Sequence, residues 1–245
     1  MRVVRLYTSQ NLALDTELEL NDTDRHYAVN VLRLNKNSVL KLFNGDGYDY
    51  PCEILSINKT ILRVKITEQI KLHSESALTI HLYLAVSKSS HMDYAIQKTV
   101  EAGVSHIQPI VTERTAHKLT SKSAENKQLH WQRIIQSACE QCGRSVIPTL
   151  LPIIEFTDIQ ALDDHEQGLL FDADAGKSMH NLDNNRPSLV KLLVGPEGGL
   201  TENEMNAAVD RGFQAIRLGP RVLRTETAAL AAVLSAQLLW GDLAQ

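Results

Sequence analysis

The spacing of apolar positions changes its rhythm once along this chain. Over the first ~70 residues apolar side chains alternate or gather in short β-branched runs: Val3 to Tyr7, Val39 to Phe43, Tyr50 to Ile57 and Ile61 to Ile66. Period-two runs of that length predict half-buried strands. Asn44-Gly45-Asp46-Gly47 is a strong turn signal between two of them, because Asn and Gly accept positive φ, and Asn58-Lys59 is a second. Asp22-Thr23-Asp24 ahead of His26 to Leu34 predicts one short capped helix. The stretch Lys71 to Ala77 is polar and unpatterned, and it predicts a boundary between a small β domain, 1–72, and a second domain, 73–245.

From Leu78 the rhythm becomes strand, helix, strand. Leu78 to Val86 predicts a strand. Ser90 then caps a helix whose apolar side is Met92, Ala95, Ile96 and Val100, closed by Gly103. Ile107 to Val111 follows as a strand, and Trp131, Ile134, Ile135, Ala138 and Cys142 mark the buried side of another helix. Gly168 to Phe171 and Val190 to Val194 are apolar without alternation, as parallel strands covered on both faces are. Thr201-Glu202-Asn203-Glu204 is a capping box for a helix ending near Gly212, and Ala215 to Leu218 predicts the last strand. Thr225 to Trp240 is a helix apolar nearly all round, so it needs cover on more than one side. The alternation predicts an α/β fold with a parallel sheet and helices on both faces.

Composition narrows the function without naming it. With 43% hydrophobic and 22% charged residues the chain is of ordinary globular type. No apolar run approaches the ~20 residues that span a bilayer, and the start lacks a signal-peptide core, so a cytoplasmic, membrane-free protein is expected. The net charge of -4 argues against a protein that merely coats nucleic acid. The charge is uneven, however: residues 1–72 hold 10 Lys/Arg against 9 Asp/Glu, and 73–245 hold 15 against 20, so any basic face is local. Cys139 and Cys142 match C-x-x-C, but no second pair or His partner stands beside them. Two small helix-packing residues is the better reading, and no metal site is expected.

The chemistry concentrates near the C-terminus. Val194-Gly195-Pro196-Glu197-Gly198-Gly199 is a strand end, a stiffened turn and two glycines that let a ligand come close, just ahead of a helix start whose free N–H groups would face the same spot. Leu218-Gly219-Pro220-Arg221-Val222-Leu223-Arg224 is a second such turn, with Thr225 as the expected helix cap. Two turns at the carboxyl ends of neighbouring strands form a pocket from backbone. The phosphate-binding glycine spacings are absent, and Glu197 stands where a phosphate would sit. A cationic, nucleoside-like ligand such as S-adenosylmethionine therefore suits the site better than ATP or NAD. Loop arginines beside such a pocket suit a phosphate or a developing anion.

These two motifs resemble those of the RsmE family, SPOUT-class methyltransferases that act on N3 of a uridine in 16S ribosomal RNA. The resemblance extends along the chain. His26, Val31-Leu32-Arg33 and Phe43-Asn44-Gly45-Asp46-Gly47 are similar to the family's PUA-like RNA-binding module. Met92-Asp93, Gln97-Lys98, Glu101, Gly103-Val104 and Glu113-Arg114 are similar to its catalytic domain, as are Trp131, Arg133, Glu140-Gln141 and Arg144. The resemblance implies a C-terminal trefoil knot, S-adenosylmethionine bound bent within it, and a homodimer with sites at the subunit interface.

On this reading the cofactor is cradled by Leu170, Phe171, Val194, Gly195, Pro196, Glu197, Gly198, Gly199, Leu218, Gly219, Pro220 and Leu223. Arg224 would stabilise the uracil anion, and Arg221 would assist it or hold an RNA phosphate. Glu197 or Glu226 would accept the proton, unless either orients an arginine instead. His26, Arg33 and Lys36 would touch RNA, with His26 packing on its own helix as the competing reading. Two rivals remain: a nucleotide-dependent enzyme, and a catalytically silent RNA-binding or ribosome-assembly factor of the same fold.

Overall fold

In the computed structural model, which describes residues 3–36, 38–115, 120–182 and 186–243, the chain divides into two units. The first comprises 1–75 and 136–147, the second 76–135 and 148–245. The alternating runs of the first unit become β1 (Val3–Tyr7), β2 (Glu17–Glu19), β3 (Val39–Phe43), β4 (Tyr48–Ile57), β5 (Leu62–Ile66) and β6 (Ile70–Lys71). They pair in the order β1-β3-β4-β5-β2, with β6 on β4. Leu40, Leu42, Leu62, Val64 and Ile66 are fully buried in the core between them. The β3–β4 turn takes Gly45 to φ 101 and Gly47 to φ 91, the left-handed region glycine enters without a Cβ clash.

The front helix departs from expectation. Asn21, not Asp22, is the cap: its side chain accepts the Asp24 N–H at 2.9 Å, so α1 (Asp22–His26) begins before the predicted helix. A π-helical turn, Tyr27–Val31, follows, and Arg33 at φ 54 breaks the helix short of Leu34. The same unit is tied internally by Arg5. Its guanidinium pairs with Asp49 at 2.7 Å and donates to the Cys139 carbonyl at 2.7 Å and to Ser145 Oγ at 2.8 Å. Cys139 is buried, and a hydrogen bond to Cys142, together with burial, pushes its thiol far up. Both cysteines are free thiols within a helix, and a protonated buried thiol packs rather than reacts.

The second unit contains β7 (Thr79–Ala85), α2 (Ser89–Glu101), β8 (His106–Val111), the start of α3 (Ser121–Cys142), β9 (Thr149–Leu150), β10 (Ile154–Glu155), β11 (Gln167–Phe171), β12 (Leu189–Val194), α4 (Glu202–Asp210), β13 (Gln214–Ile216) and α5 (Thr225–Trp240). The sheet runs β10-β8-β7-β12-β11-β13, with β9 on β8, and every pairing is parallel. Alternate residues separate the two faces. Tyr83, Ala85, Ile110, Leu170 and Leu193 form a core with Leu200, Ala208 and Phe213 around α4. On the other side α5 packs on α2, β7 and β12 through its alanine-rich stripe, where Ala229, Ala232 and Ala236 are fully buried.

Several boundaries shift. Lys88 rather than Ser90 caps α2, through its carbonyl, which accepts from His91 and Met92, while no side chain caps it. Within α3, Cys139 is fully buried and Cys142 only partly. β13 stops at Ile216 rather than Leu218, because its ladder with β11 ends at Phe171 paired to Ile216. At the far end of α5, Leu238 and Leu239 lie 55% and 38% exposed, so the helix keeps an uncovered apolar strip. Among the described residues no helix is long and apolar enough to cross a membrane.

Candidate active site

Register places the site. Phe171 at the end of β11 is paired with Val194 at the end of β12 and with Ile216 at the end of β13. Three adjacent parallel strands therefore end level, and the loops after them leave the same edge of the sheet. Between the loops lies a cavity of about 150 Å³, walled by Phe171, Val194, Gly195, Gly199 and Leu223 among others, and beside it one of about 80 Å³ that reaches Leu218 and Arg221. Its walls are main chain, small or apolar side chains and the carboxylates Asp172 and Glu197, as expected of a ligand site at the carboxyl edge of a parallel sheet.

The first turn is held from two sides. Gly199 sits at φ 71 and donates to the Pro196 carbonyl at 2.9 Å. Arg114 Nη1 donates to the carbonyls of Gly198 at 2.9 Å and Leu200 at 3.4 Å. A Cβ on Gly195 would lie 3.1 Å from Leu200 Cγ, so this glycine keeps a cavity wall in place. The helix start behind the turn carries the expected capping box, which takes up two of its N–H groups. Thr201 and Glu204 form the full capping box, and Glu204 also accepts the Glu113 N–H at 2.8 Å. Those two donors of α4 are already satisfied by side chains and are not offered to a ligand.

Glu197 turns toward α2. Its Oε1 accepts the Lys88 N–H at 3.3 Å and lies 3.2 Å from His91 Nδ1. Burial pushes this carboxyl up, but its own N–H, the Lys88 N–H and His91 together pull it further down, and it sits below the usual glutamate value. It is therefore a weak base, and its partner is a histidine rather than an arginine. Glu226, in the first turn of α5, has an Oε2 that is buried without a hydrogen-bond partner among the described residues, 3.9 Å from the same His91 Nδ1.

The second turn carries the cations. Arg221 and Arg224 are exposed, and their side chains make no hydrogen bond or ion pair among the described residues. Arg221 lines the smaller cavity; Arg224 lines neither and accepts the Ala228 N–H at its carbonyl, at 2.8 Å. Arg224 is the capping residue of α5, where Thr225 was expected; Thr225 is instead the first helical residue, buried against the cavity. Of the residues expected to cradle a cofactor, Leu170, Phe171, Val194, Gly195, Pro196, Glu197, Gly199, Leu218 and Leu223 line the two cavities. Gly198 faces Arg114 instead, and Gly219 and Pro220 stand outside the lining. Val222, 85% exposed, forms an apolar rim.

Sequence reasoning missed Asp172 and Ala173, which follow β11 at the same edge, and Met205 and Ala228, which close the cavity. The unbroken apolar run before Asp172 was the available signal. His26, Arg33 and Lys36 lie in the first unit, and all three are exposed, which leaves them open to a ligand.

The description "RNA methyltransferase domain" matches residues 74–237, and "RNA methyltransferase PUA domain" matches residues 20–67. Ribosomal RNA small subunit methyltransferase E of Buchnera aphidicola (subspecies Schizaphis graminum) is 36% identical over 99% of this chain and 98% of its own length. The enzyme of the same name from Bacillus subtilis is 28% identical over 96% of each. Among solved structures, a ribosomal RNA small subunit methyltransferase E from Neisseria gonorrhoeae bound to S-adenosylmethionine superposes with a TM-score of 0.91 at 34% identity, over 99% of this chain and all of that one. A methyltransferase from Legionella pneumophila with bound S-adenosylmethionine does so at 0.92, with the same identity and coverage.

Proposed function

The chain belongs to the RNA methyltransferase family, and from that premise we propose that it methylates N3 of one uridine in 16S ribosomal RNA of the small subunit. It is an S-adenosylmethionine-dependent ribosomal RNA methyltransferase. The observation that carries the assignment of its site is the level ending of β11, β12 and β13, which brings the two glycine–proline turns to one cavity. The fit can be tested on the chain itself. A Cβ at Gly195 would crowd Leu200, which lines the same space, and among the described residues no Lys or Arg lines the larger cavity to demand a phosphate.

S-adenosylmethionine supplies an electrophilic methyl group on a charged sulfur. The chain's contribution is to hold donor and acceptor in line and to favour the deprotonated uracil, since N3 carrying its proton has no free lone pair. Positioning of this kind accounts for up to ~7–11 kcal/mol in well-oriented reactions. Arg224, whose exposed side chain has no partner among the described residues, stabilises the charge that develops on the uracil carbonyl oxygens, and a fixed donor there is worth a few kcal/mol. Arg221, at the smaller cavity, assists it or holds a phosphate. Glu226 is the better proton acceptor of the two carboxylates, because Glu197 is already engaged by Lys88 and His91.

The remaining features of this reading are also proposals. Residues 1–72 form a PUA-like module that binds RNA through His26, Arg33 and Lys36, and 73–245 form the SPOUT domain. A trefoil knot is favoured by the strand order, in which β12 enters between β7 and β11, β13 lies outside β11, and α5 returns over β7 and β12. A homodimer is favoured by the exposed Leu238 and Leu239, and by cavities below the ~300 Å³ from which ligand pockets usually start, so that a second copy completes each site. The setting is cytoplasmic, where ribosomal RNA resides. The test is transfer of labelled methyl from S-adenosylmethionine to small-subunit ribosomal RNA, with the product mapped by mass spectrometry. Methyl on uridine N3 supports the proposal; no transfer, or methyl on a ribose or a carbon, refutes it.

A further inference from the structure

A second depression in the methyltransferase unit has a different chemistry from the cofactor cavity. It is a wide, open cleft of about 590 Å³, bordered by Ser89 at the start of α2 and by the N-terminal half of α3. Lys122, Ser123, Asn126, Lys127 and His130 line it, at the three- and four-residue spacing that puts side chains on one helix face. Among the described residues no Asp or Glu lines it, although the chain as a whole carries a net charge of -4. Trp131, 1% exposed, forms the floor, and Lys127 Nζ lies 5.7 Å from its ring. His130 Nε2 lies 3.0 Å from Asp93 Oδ2, which ties the α3 wall to α2.

The cleft is linked to the active site at the start of α2: Ser89, in its first turn, borders the cleft, and Lys88, the residue before it, donates its backbone N–H to Glu197, which lines the cofactor cavity. A polymer whose reacting unit sits at the cavity would continue over this turn into a cleft that offers cations, hydroxyls and an amide. We propose that the cleft seats the sugar–phosphate backbone of the RNA strand flanking the target nucleotide, with Lys122 and Lys127 each meeting a phosphate. Ser123 and Asn126 complete the contacts, to phosphate or 2′-hydroxyl oxygens. The Trp131 ring is buried in the floor, and the lining side chains offer charge and hydrogen bonds suited to phosphate and hydroxyl oxygens, so the cleft positions the strand. This inference rests on RNA being the substrate.

The test replaces both lysines, Lys122→Gln with Lys127→Gln, in the full chain and measures binding to small-subunit ribosomal RNA between about 0.05 and 0.3 M salt. Loss of two phosphate contacts lowers the slope of log affinity against log salt by about 1.4, at ~0.7 per contact for single strands. At ~0.15 M the same release accounts for roughly a tenfold rise in KM for RNA. The kcat and the calorimetric affinity for S-adenosylmethionine should match the parent, and Lys122→Arg with Lys127→Arg should restore the slope. Unchanged slope and KM in the glutamine variant overturn the inference, and so does a parallel loss of cofactor affinity, which marks a structural role. Failure of the parent chain to methylate the RNA is a separate result, visible before any substitution, and it removes the substrate assignment along with the cleft.

Discussion

The three glycines of the first turn differ in what each would lose to a methyl group, and alanine substitution should separate them. At Gly195 the new Cβ would sit 3.1 Å from Leu200 Cγ and 3.4 Å from Leu200 N. Leu200 is only 8% exposed and lines the cavity, so it must move into the core or into the ligand's space. Overpacking of this kind costs about 1–3 kcal/mol. At Gly199 the space is open, with the nearest atom 3.9 Å away, but φ is 71. Holding a residue with a Cβ there costs about 1–2 kcal/mol. At Gly198 the Cβ would meet Arg114 Cβ and Cδ at 3.6 Å, ordinary contact, and φ is not in the left-handed region. Gly198→Ala should stay within about 0.5 kcal/mol of the parent, as ordinary surface substitutions do. Thermal unfolding reads the cost to the fold, and titration calorimetry with S-adenosylmethionine reads the cost to the site. Gly195→Ala should lose affinity roughly tenfold or more, equivalent to about 1.4 kcal/mol. Gly198→Ala should keep it. A Gly198→Ala variant as damaged as Gly195→Ala would refute the assignment of which residues wall the cavity.

Other consequences follow from single side chains. Arg224→Ala should slow single-turnover methylation by roughly 10²–10³, the usual cost of one oxyanion donor, with cofactor affinity unchanged; a rate within a few-fold of the parent removes it from the chemistry. Arg114→Ala frees the carbonyls of Gly198 and Leu200, and cofactor affinity should fall about fivefold, near 1 kcal/mol for a solvent-accessible hydrogen bond, with no change expected in RNA affinity. His81 is an acid-sensitive group of the methyltransferase sheet. Burial, with the neighbouring His106 and Lys191, pulls it from 6.5 down to about 4, and its Nε2 has no hydrogen-bond partner. The unfolded chain therefore binds the extra proton first. Stability from this group is full above about 6.5 and declines as pH falls toward 4. Urea midpoints for His81→Phe should lose that part of the acid slope, and an unaltered slope would show that other groups carry it.

How far the sequence was readable depended on where each element's information lay. The stripe Met92, Ala95, Ile96 and Val100 and the capping box at Thr201 and Glu204 are local patterns, and the structure realises both. β2 and β6 escaped notice because strands of three and two residues carry too little periodicity to register. The start of α1 was misplaced because four adjacent capping-type residues, Asn21 to Asp24, compete there, and geometry favours Asn21. At the site, the two glycine–proline turns were legible as composition, but their convergence was not. It depends on the strand register that pairs Phe171 with both Val194 and Ile216, which is long-range information. The engagement of Glu197 by His91 and Lys88 was hidden for the same reason, since those partners lie more than a hundred residues away.

The central claim is that main-chain walls at the carboxyl ends of β11, β12 and β13 hold S-adenosylmethionine. The most direct measurement is a crystal structure of this chain grown with S-adenosylmethionine. Density for the ligand between Gly195–Gly199 and Leu218–Leu223, with its methyl group open toward Arg224, is the expected result. Ligand density elsewhere on the chain, with that cavity empty at saturating concentration, would contradict it.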